Sequence, residues 1–408
     1  MISKVSCYFA VILSMFTSSA FAASESVGFD KAVDQFFNEN LSWFANTIFT
    51  SVPVNGTNFP IIVGWLFIAA IIFTFYFGFV QFKRFGLAVG FANLGKVLAV
   101  GFAIMTILGA LGGGNMFQGN QANAMIVQTL GLPDGYGWVT GVILATMVGS
   151  VIIGGMPSIA RVTGKLVPTM ALLYVGMSVI VLVSNASMIG DAFAQIIEGA
   201  FTGAGVAGGF VGALIQGNEA GVGSAAIAHA AVKTKEPVTE GLVSVLEPFI
   251  DTVIICTMTA LVITISGMNN GELSGVTLTA AAFTETADIF QYILAVAVVM
   301  FAFSTMISWS YYGLKAWTYL FGEGKTTELV YKVMFCGFVV IGASVSFGAV
   351  IDFSDAAIFA MSIFNIIGLY FLMPVVKKEL QSFIARVKSG EIKDYSKEGV
   401  LVSKELNN

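Results

Sequence analysis

Apolar residues gather into runs that recur along the whole chain, near residues 60–82, 95–117, 137–155, 165–184, 204–232, 242–266, 288–312, 333–350 and 356–375. Most are close to the roughly 20 residues that a helix needs to cross the hydrocarbon of a bilayer. Backbone polar groups in lipid must bond within their own segment, which selects helices over open strands. The pattern therefore predicts an all-α polytopic membrane protein with about nine spans.

Two shorter stretches are amphipathic instead. From Phe29 to Phe49, the residues Phe29, Val33, Phe36, Phe37, Phe44 and Ile48 recur at three- and four-residue steps, with Asp30, Asp34, Glu39 and Asn40 between them. That is the mark of a helix at the outer interface. Ile189, Phe193, Ile196, Ile197 and Phe201 form a second stripe opposite Asp191 and Glu198, again a short interfacial helix. Residues 267–287, rich in Gly, Asn, Ser and Thr, read as a loop.

The N-terminus has the pattern of a secretory leader. Lys4 precedes an apolar core from Val5 to Phe16, and Ala20-Phe21-Ala22 is a small-x-small cleavage site. An uncleaved anchor is the other reading. The organisation expected is a signal peptide at 1–22, a periplasmic amphipathic segment at 23–59, a transmembrane domain at 60–380 and a cytoplasmic tail at 381–408.

Composition agrees with lipid as the main solvent. Apolar residues make up 57% of the chain and charged residues 11%, where soluble domains carry about a quarter charged residues. The few basic residues orient the spans. Lys83 and Arg84, Arg161 and Lys165, Lys233 and Lys235, Lys315, Lys325 and Lys332, and finally Lys377, Lys378, Arg386 and Lys388 all fall on one side, whereas the loops 185–203, 267–287 and 351–355 hold no Lys or Arg. By the positive-inside rule the N-terminus lies outside and the C-terminus in the cytoplasm; with its leader the chain fits a multi-pass protein of the bacterial inner (plasma) membrane, its N-terminus periplasmic.

Charge and residue types also exclude some classes. A net charge of −5 without a basic patch argues against nucleic acid. Cys7 lies in the leader, and Cys256 and Cys336 sit in apolar runs as small buried residues. His229 is the sole histidine, so imidazole metal sites and mechanisms needing two histidines are absent. Neither H-E-x-x-H nor G-x-S-x-G occurs. The chain does not read as an enzyme, and no cofactor is called for.

Residues 217–224, Gly-Asn-Glu-Ala-Gly-Val-Gly-Ser, interrupt the fifth apolar run before it resumes as Ala225 to Val232. Three glycines, an amide and a carboxylate so close together weaken any helix. In hydrocarbon such a break survives only where it lines a cavity or other protein. Freed carbonyls there can coordinate a small cation and a helix N-terminus can hold a carboxylate, although close glycine packing between helices is an alternative. Glu219 either stabilises the break or is a ligand. Glu247 and Asp251, four apart on one face, fit a hydrated entry, a pairing with Lys233 or Lys235, or a gate. Ser304, Thr305 and Ser308 offer hydroxyl oxygens suited to a hard cation, or ordinary helix contacts. The amides after Gly112-Gly113-Gly114, from Asn115 to Gln121, need partners within the membrane.

Several of these stretches resemble the sodium:alanine symporter family (alanine or glycine:cation symporters). Gly217-Asn218-Glu219-Ala220-Gly221-Val222-Gly223-Ser224-Ala225-Ala226-Ile227-Ala228-His229-Ala230 is similar to the family's "SNEAGxGSAPIAHA". Phe249 to Thr252, Cys256 to Leu261, Ser308 to Gly313, Gly114 to Gln118 and Arg161 to Pro168 match as well. The likeness covers roughly 60–90 and 91–380. It implies a leucine-transporter-like inverted-repeat fold and sodium-driven import of alanine, with glycine or D-alanine as further substrates, by alternating access. Sodium ion, small amino acid and lipid bilayer are then the partners, with Na+ as coupling ion and no cofactor.

By the same resemblance, substrate contact falls on Gln118, Asn218, Thr305 and Trp309 and cation binding on Ser304 and Thr305; the residues themselves add Glu219 as a cation candidate and put the helix break at Gly217, Gly221 and Gly223. One departure is large. Family members have eleven spans, and this fold is incomplete at about nine. Two helices bearing "TVGxGNIAG", "GGPGAxFWMW" and "GGPMYY" are missing between Gly90 and Phe91. The first is the symmetry partner of the broken run. An internally deleted, non-transporting membrane remnant is therefore the alternative function.

Overall fold

The computed structural model describes residues 29–54, 57–78, 92–133, 135–202, 219, 221–232, 234, 236–268 and 273–392. The leader expected at 1–22, the Gly90/Phe91 junction, Gly217, Asn218, Lys233, Lys235 and the tail beyond 392 lie outside the described residues.

Helices dominate: α1 (Phe29–Ile48), α2 (Ile61–Gly78), α3 (Ala92–Leu111), α4 (Phe117–Leu130), α5 (Gly137–Ile152), α6 (Gly155–Ser184), α7 (Ile189–Phe201), α8 (Ser224–His229), α9 (Pro237–Val243), α10 (Thr257–Ser266), α11 (Gly275–Thr284), α12 (Ile289–Phe321), α13 (Lys325–Ser344) and α14 (Phe347–Ser389). A small antiparallel hairpin, β1 (Ser51–Val54) with β2 (Thr57–Pro60), joins α1 to α2 and pairs Val54 with Thr57. Among the described residues, six helical stretches are long and apolar enough to cross a membrane: Leu98–Leu130, Gly155–Ser184, Pro237–Ser266, Ile289–Phe321, Lys325–Ser344 and Phe347–Ser389. The protein is all-α and polytopic, as its apolar runs predict. The runs at 60–82 and 137–155 correspond to the shorter helices α2 and α5, and most of 204–232 lies outside the described residues.

Three boundaries differ from the sequence reading. The second run does not end near 117. It continues through a five-residue π turn, Gly112–Met116, into α4, because the three glycines widen the helix rather than stop it. Residues 275–284 are helix α11 and not loop, since Ala280, Ala282 and Phe283 are wholly buried against Tyr174, Val262 and Leu294, and docking overrides the weak local pattern. Residues 351–355 are helical as well. The chain turns earlier, through extended backbone at Val345 and Ser346, and Asp352 and Asp355 lie within α14. The stripe at 189–201 does form its helix, α7.

The centre of the molecule is α3, α12, α13 and α14. Their helices meet through glycines, the close-contact residue of membrane bundles. A Cβ at Gly342 would lie 2.3 Å from Met116 Cα, one at Gly141 2.7 Å from Val340 Cα, and one at Gly114 2.3 Å from the Trp309 ring. Helix α1 does not lie apart from this bundle. Its Val33 and Phe37 are buried with Met116, Val350 and Phe353. Two of its carboxylates meet helix starts, where unpaired N–H groups favour negative charge: Asp30 Oδ2 accepts from the Gly137 N–H at 3.1 Å, and Asp34 Oδ1 from the Ser346 N–H at 2.9 Å.

Candidate functional site

The break in the fifth run is visible from Glu219 onward. Glu219 has φ +56°, and Gly221 and Gly223 have φ +86° and +102°. Left-handed backbone is routine for glycine and uncommon for glutamate. Glu219 is held there by two local bonds. The Val222 N–H donates to its carbonyl at 3.1 Å, and the Ser224 hydroxyl donates to its Oε2 at 2.7 Å. Its side chain is thus tied to a hydroxyl on the far side of the turn. Val222 and Ser224 are buried. The segment lies between α3 and α14: Asn365 Nδ2 donates to the Gly221 carbonyl at 2.9 Å, and a Cβ at Gly223 would meet the Phe102 ring at 2.7 Å and Asn365 Cγ at 2.9 Å.

Beyond the break, α8 runs for six residues beside α12. It ends at His229, whose Nδ1 is 2.6 Å from Glu240 Oε1 and whose Nε2 is 3.3 Å from Glu247. A neutral imidazole carries one N–H, so only the imidazolium donates to both carboxylates. The histidine therefore ties the short helix to the next span. Glu247 faces His229 here, while the Lys233 and Lys235 considered for it lie outside the described residues. The connection is fastened once more by Arg386, whose guanidinium takes both oxygens of Glu236 at 2.6–2.7 Å. That bidentate bond holds the Glu236 carboxyl below the usual carboxylate range. Cys256, in the π turn Phe249–Cys256, is exposed on the span surface and not buried as its apolar run suggested.

The amides of the glycine-rich helix divide into two sets. Asn115 donates to the Phe335 carbonyl at 2.7 Å, Asn120 to the Val345 carbonyl at 2.6 Å, and Gln121 Oε1 accepts from the Val276 N–H at 2.9 Å. These are helix-to-helix bonds. Gln118 instead donates to Gly113 O, five residues back, at 3.1 Å. A π turn leaves carbonyls poorly paired, and Gln118 serves one of them.

Helix α12 carries the remaining candidates on two faces. Residues four apart share a face, whereas residues five apart diverge by about 140°. Thr305 and Trp309 therefore point together, and Trp309 is buried on Gly114 and edge-on to Tyr312 at 5.4 Å. Ser304 turns elsewhere: its hydroxyl donates to Phe301 O at 3.2 Å and lies 3.7 Å from Met170 Sδ on α6. The structure thus brings Trp309 beside the glycine-rich helix that bears Gln118, and groups Glu219, Gly221 and Gly223. It directs Ser304 toward α6. Three residues that sequence reasoning did not single out belong to the site's frame: Asn365, Glu240 and Glu236. A lone amide in the apolar run 356–375 was the available signal for the first.

Comparison with known proteins gives a concordant result. The family model described as "Sodium:alanine symporter family" matches residues 87–397. The chain is 38% identical over 303 residues to the sodium/alanine symporter AgcS of Methanococcus maripaludis, covering 71% of this chain and 66% of that protein. It is 34% identical over 307 residues to an uncharacterized transporter of Haemophilus influenzae, covering 71% and 66%. It is 31% identical over 302 residues to the probable sodium/glutamine symporter GlnT of Bacillus subtilis, covering 71% and 62%. The chain thus spans 62–66% of the length of these three relatives.

Proposed function

The chain belongs to the sodium:alanine symporter family, a family of transporters and not of enzymes, and from that premise we propose that it is a sodium-coupled symporter that imports alanine, with glycine or D-alanine as further substrates, across the bacterial inner membrane by alternating access. The observation that carries the reading is the left-handed backbone at Glu219, Gly221 and Gly223, immediately before the helix that starts at Ser224. A broken membrane helix exposes carbonyls and side-chain oxygens that a continuous one keeps bonded.

In the proposed cycle sodium enters beside the break and orders it, with Glu219 and Thr305 supplying oxygens and Ser304 joining them only once its hydroxyl leaves Phe301 O and Met170. The amino acid then binds against Asn218, Gln118 and Thr305, and Trp309 bounds a pocket small enough to favour alanine. Rocking of one bundle against the other opens the site inward. Gly217, Gly221 and Gly223 keep the backbone interrupted throughout. The N-terminus is assigned to the periplasm and the tail to the cytoplasm by the basic residues of the loops.

The test is uptake of labelled alanine by proteoliposomes holding the purified full chain. A sodium gradient should drive accumulation above equilibrium, and Asn218→Ala should abolish it at unchanged expression. Equilibration without accumulation identifies a passive channel. No uptake under any gradient identifies the non-transporting remnant, which the chain's coverage of about two thirds of its relatives makes the second reading. Competition by unlabelled glutamine separates an alanine carrier from one resembling the glutamine symporter.

A further inference from the structure

The break is gripped at one polar point by a helix that is not part of it. Helix α14 passes the interruption with Asn365, an amide within an otherwise apolar run, and such groups in hydrocarbon require a partner. That partner is the Gly221 carbonyl, at 2.9 Å. Left-handed backbone at Gly221 and Gly223 takes this part of the chain out of helical geometry, so its carbonyl oxygens need partners outside the usual ladder. The fit around the amide is close. Asn365 Cγ would lie 2.9 Å from a Cβ at Gly223, so glycine there makes room for the amide. Its chain neighbours are anchored too: the Phe364 ring fills the space over Gly101 on α3, and Ile366 is buried 3.8 Å from the Cβ position of Gly221.

We propose that Asn365 is the positioning residue of the break. By holding the Gly221 carbonyl it fixes the left-handed turn, and with it the direction in which Glu219 and Ser224 present their oxygens. The link also makes the break move with α14. A shift of α14 against α3 releases the Gly221 carbonyl and changes the shape offered to a cation. The functional half of this inference rests on the sodium-symport reading, and the structural half does not.

Two substitutions separate the donor from the volume. Asn365→Leu keeps the branched shape and removes the N–H group, and Asn365→Ala removes both. In proteoliposomes each should raise the sodium concentration for half-maximal uptake by about tenfold, the loss expected for one buried hydrogen bond. Maximal uptake should change less than twofold. Hydrogen–deuterium exchange on the same full-length proteins gives a readout that needs no transport. Peptides covering residues 221–229 should exchange faster in both variants, while those of α13 keep the wild-type rate. If Asn365→Leu behaves as wild type, the residue fills space only and the proposal is overturned. It is overturned equally by unchanged exchange in both variants, or by faster exchange spread evenly over the chain. Wild-type protein that shows no sodium-driven uptake but responds locally in exchange refutes the transport reading and leaves the positioning role standing.

Discussion

The central bundle and the broken segment use the same residue for opposite ends. In the bundle, Gly114, Gly141 and Gly342 sit in or beside regular helix and let another helix approach until a Cβ would overlap its atoms. In the broken segment, Gly221 and Gly223 adopt left-handed backbone that turns the chain out of a helix. Burial follows the same division. In the most apolar stretch of Leu98–Leu130, 56% is buried within the chain, against 11% for Pro237–Ser266, the span that follows the break. Leu242, Val245, Phe249, Ile250 and Val253 of that span face outward. Close packing gives the bundle one arrangement, whereas few contacts leave the span after the break free to occupy more than one. A carrier that alternates its access needs both kinds of region.

Breaking the comparison is easiest on the packed side. Gly342→Ala would drive a Cβ to 2.3 Å from Met116 Cα, and backbone on both helices must shift to admit it. Overpacking of this kind costs about 1–3 kcal/mol, and a backbone clash belongs at the upper end. Thermal unfolding in detergent should show the loss, with uptake falling only as folded protein falls. Gly223→Ala is expected to act differently. Its φ of +102° and the Phe102 ring at 2.7 Å disfavour a side chain, for about 1–2 kcal/mol of backbone strain. The span that follows is thinly packed and can take up the shift, so helix content and expression should hold while sodium-driven uptake drops at least tenfold. Equal loss of fold and uptake in both variants would erase the distinction between the two uses of glycine.

Smaller effects sharpen it. His229→Gln leaves one donor group between Glu240 and Glu247 where the ring reaches both. These groups are partly solvated, so the stability change should stay below about 1 kcal/mol, while exchange rises in peptides covering 224–247. Glu236→Gln removes the carboxylate from Arg386. The folded pKa of Glu236 is depressed, so its contribution is complete above the unfolded value of roughly 4.3 and fades as the pH falls through the folded one. Wild type and variant should therefore differ slightly in melting temperature at neutral pH and converge in acid. A difference that persisted at low pH would assign the contact another role.

The large features were legible because lipid imposes them. Apolar run length located the six long helices of the described residues, and the stripe from Ile189 to Phe201 located α7. Glu219, Gly221 and Gly223 are left-handed within the stretch whose composition disfavours helix. What was not legible depended on partners distant in sequence. Helix α11 forms because Phe283 and Ala282 have a cluster to enter. Asp352 and Asp355 marked a loop in the sequence, yet the turn falls at Val345–Ser346, where Asp34 from α1 meets the Ser346 N–H. Gln118 lies beside the π turn at Gly112–Met116, and that turn decides which carbonyl it serves. Asn365 and Glu240 gain meaning only from residues 144 and 11 positions away.

The central claim is that the backbone around Glu219–Gly223 is interrupted and lines a water-filled path reached by a small solute. Thiol accessibility tests it most directly. With Cys7, Cys256 and Cys336 replaced, a single cysteine at Ser224 should react with a membrane-impermeant cationic thiol reagent, and sodium with alanine should slow that reaction several-fold. A cysteine at the outward-facing Leu172 should not react. A Ser224 cysteine as inert as the one at Leu172, with or without the solutes, would contradict the account.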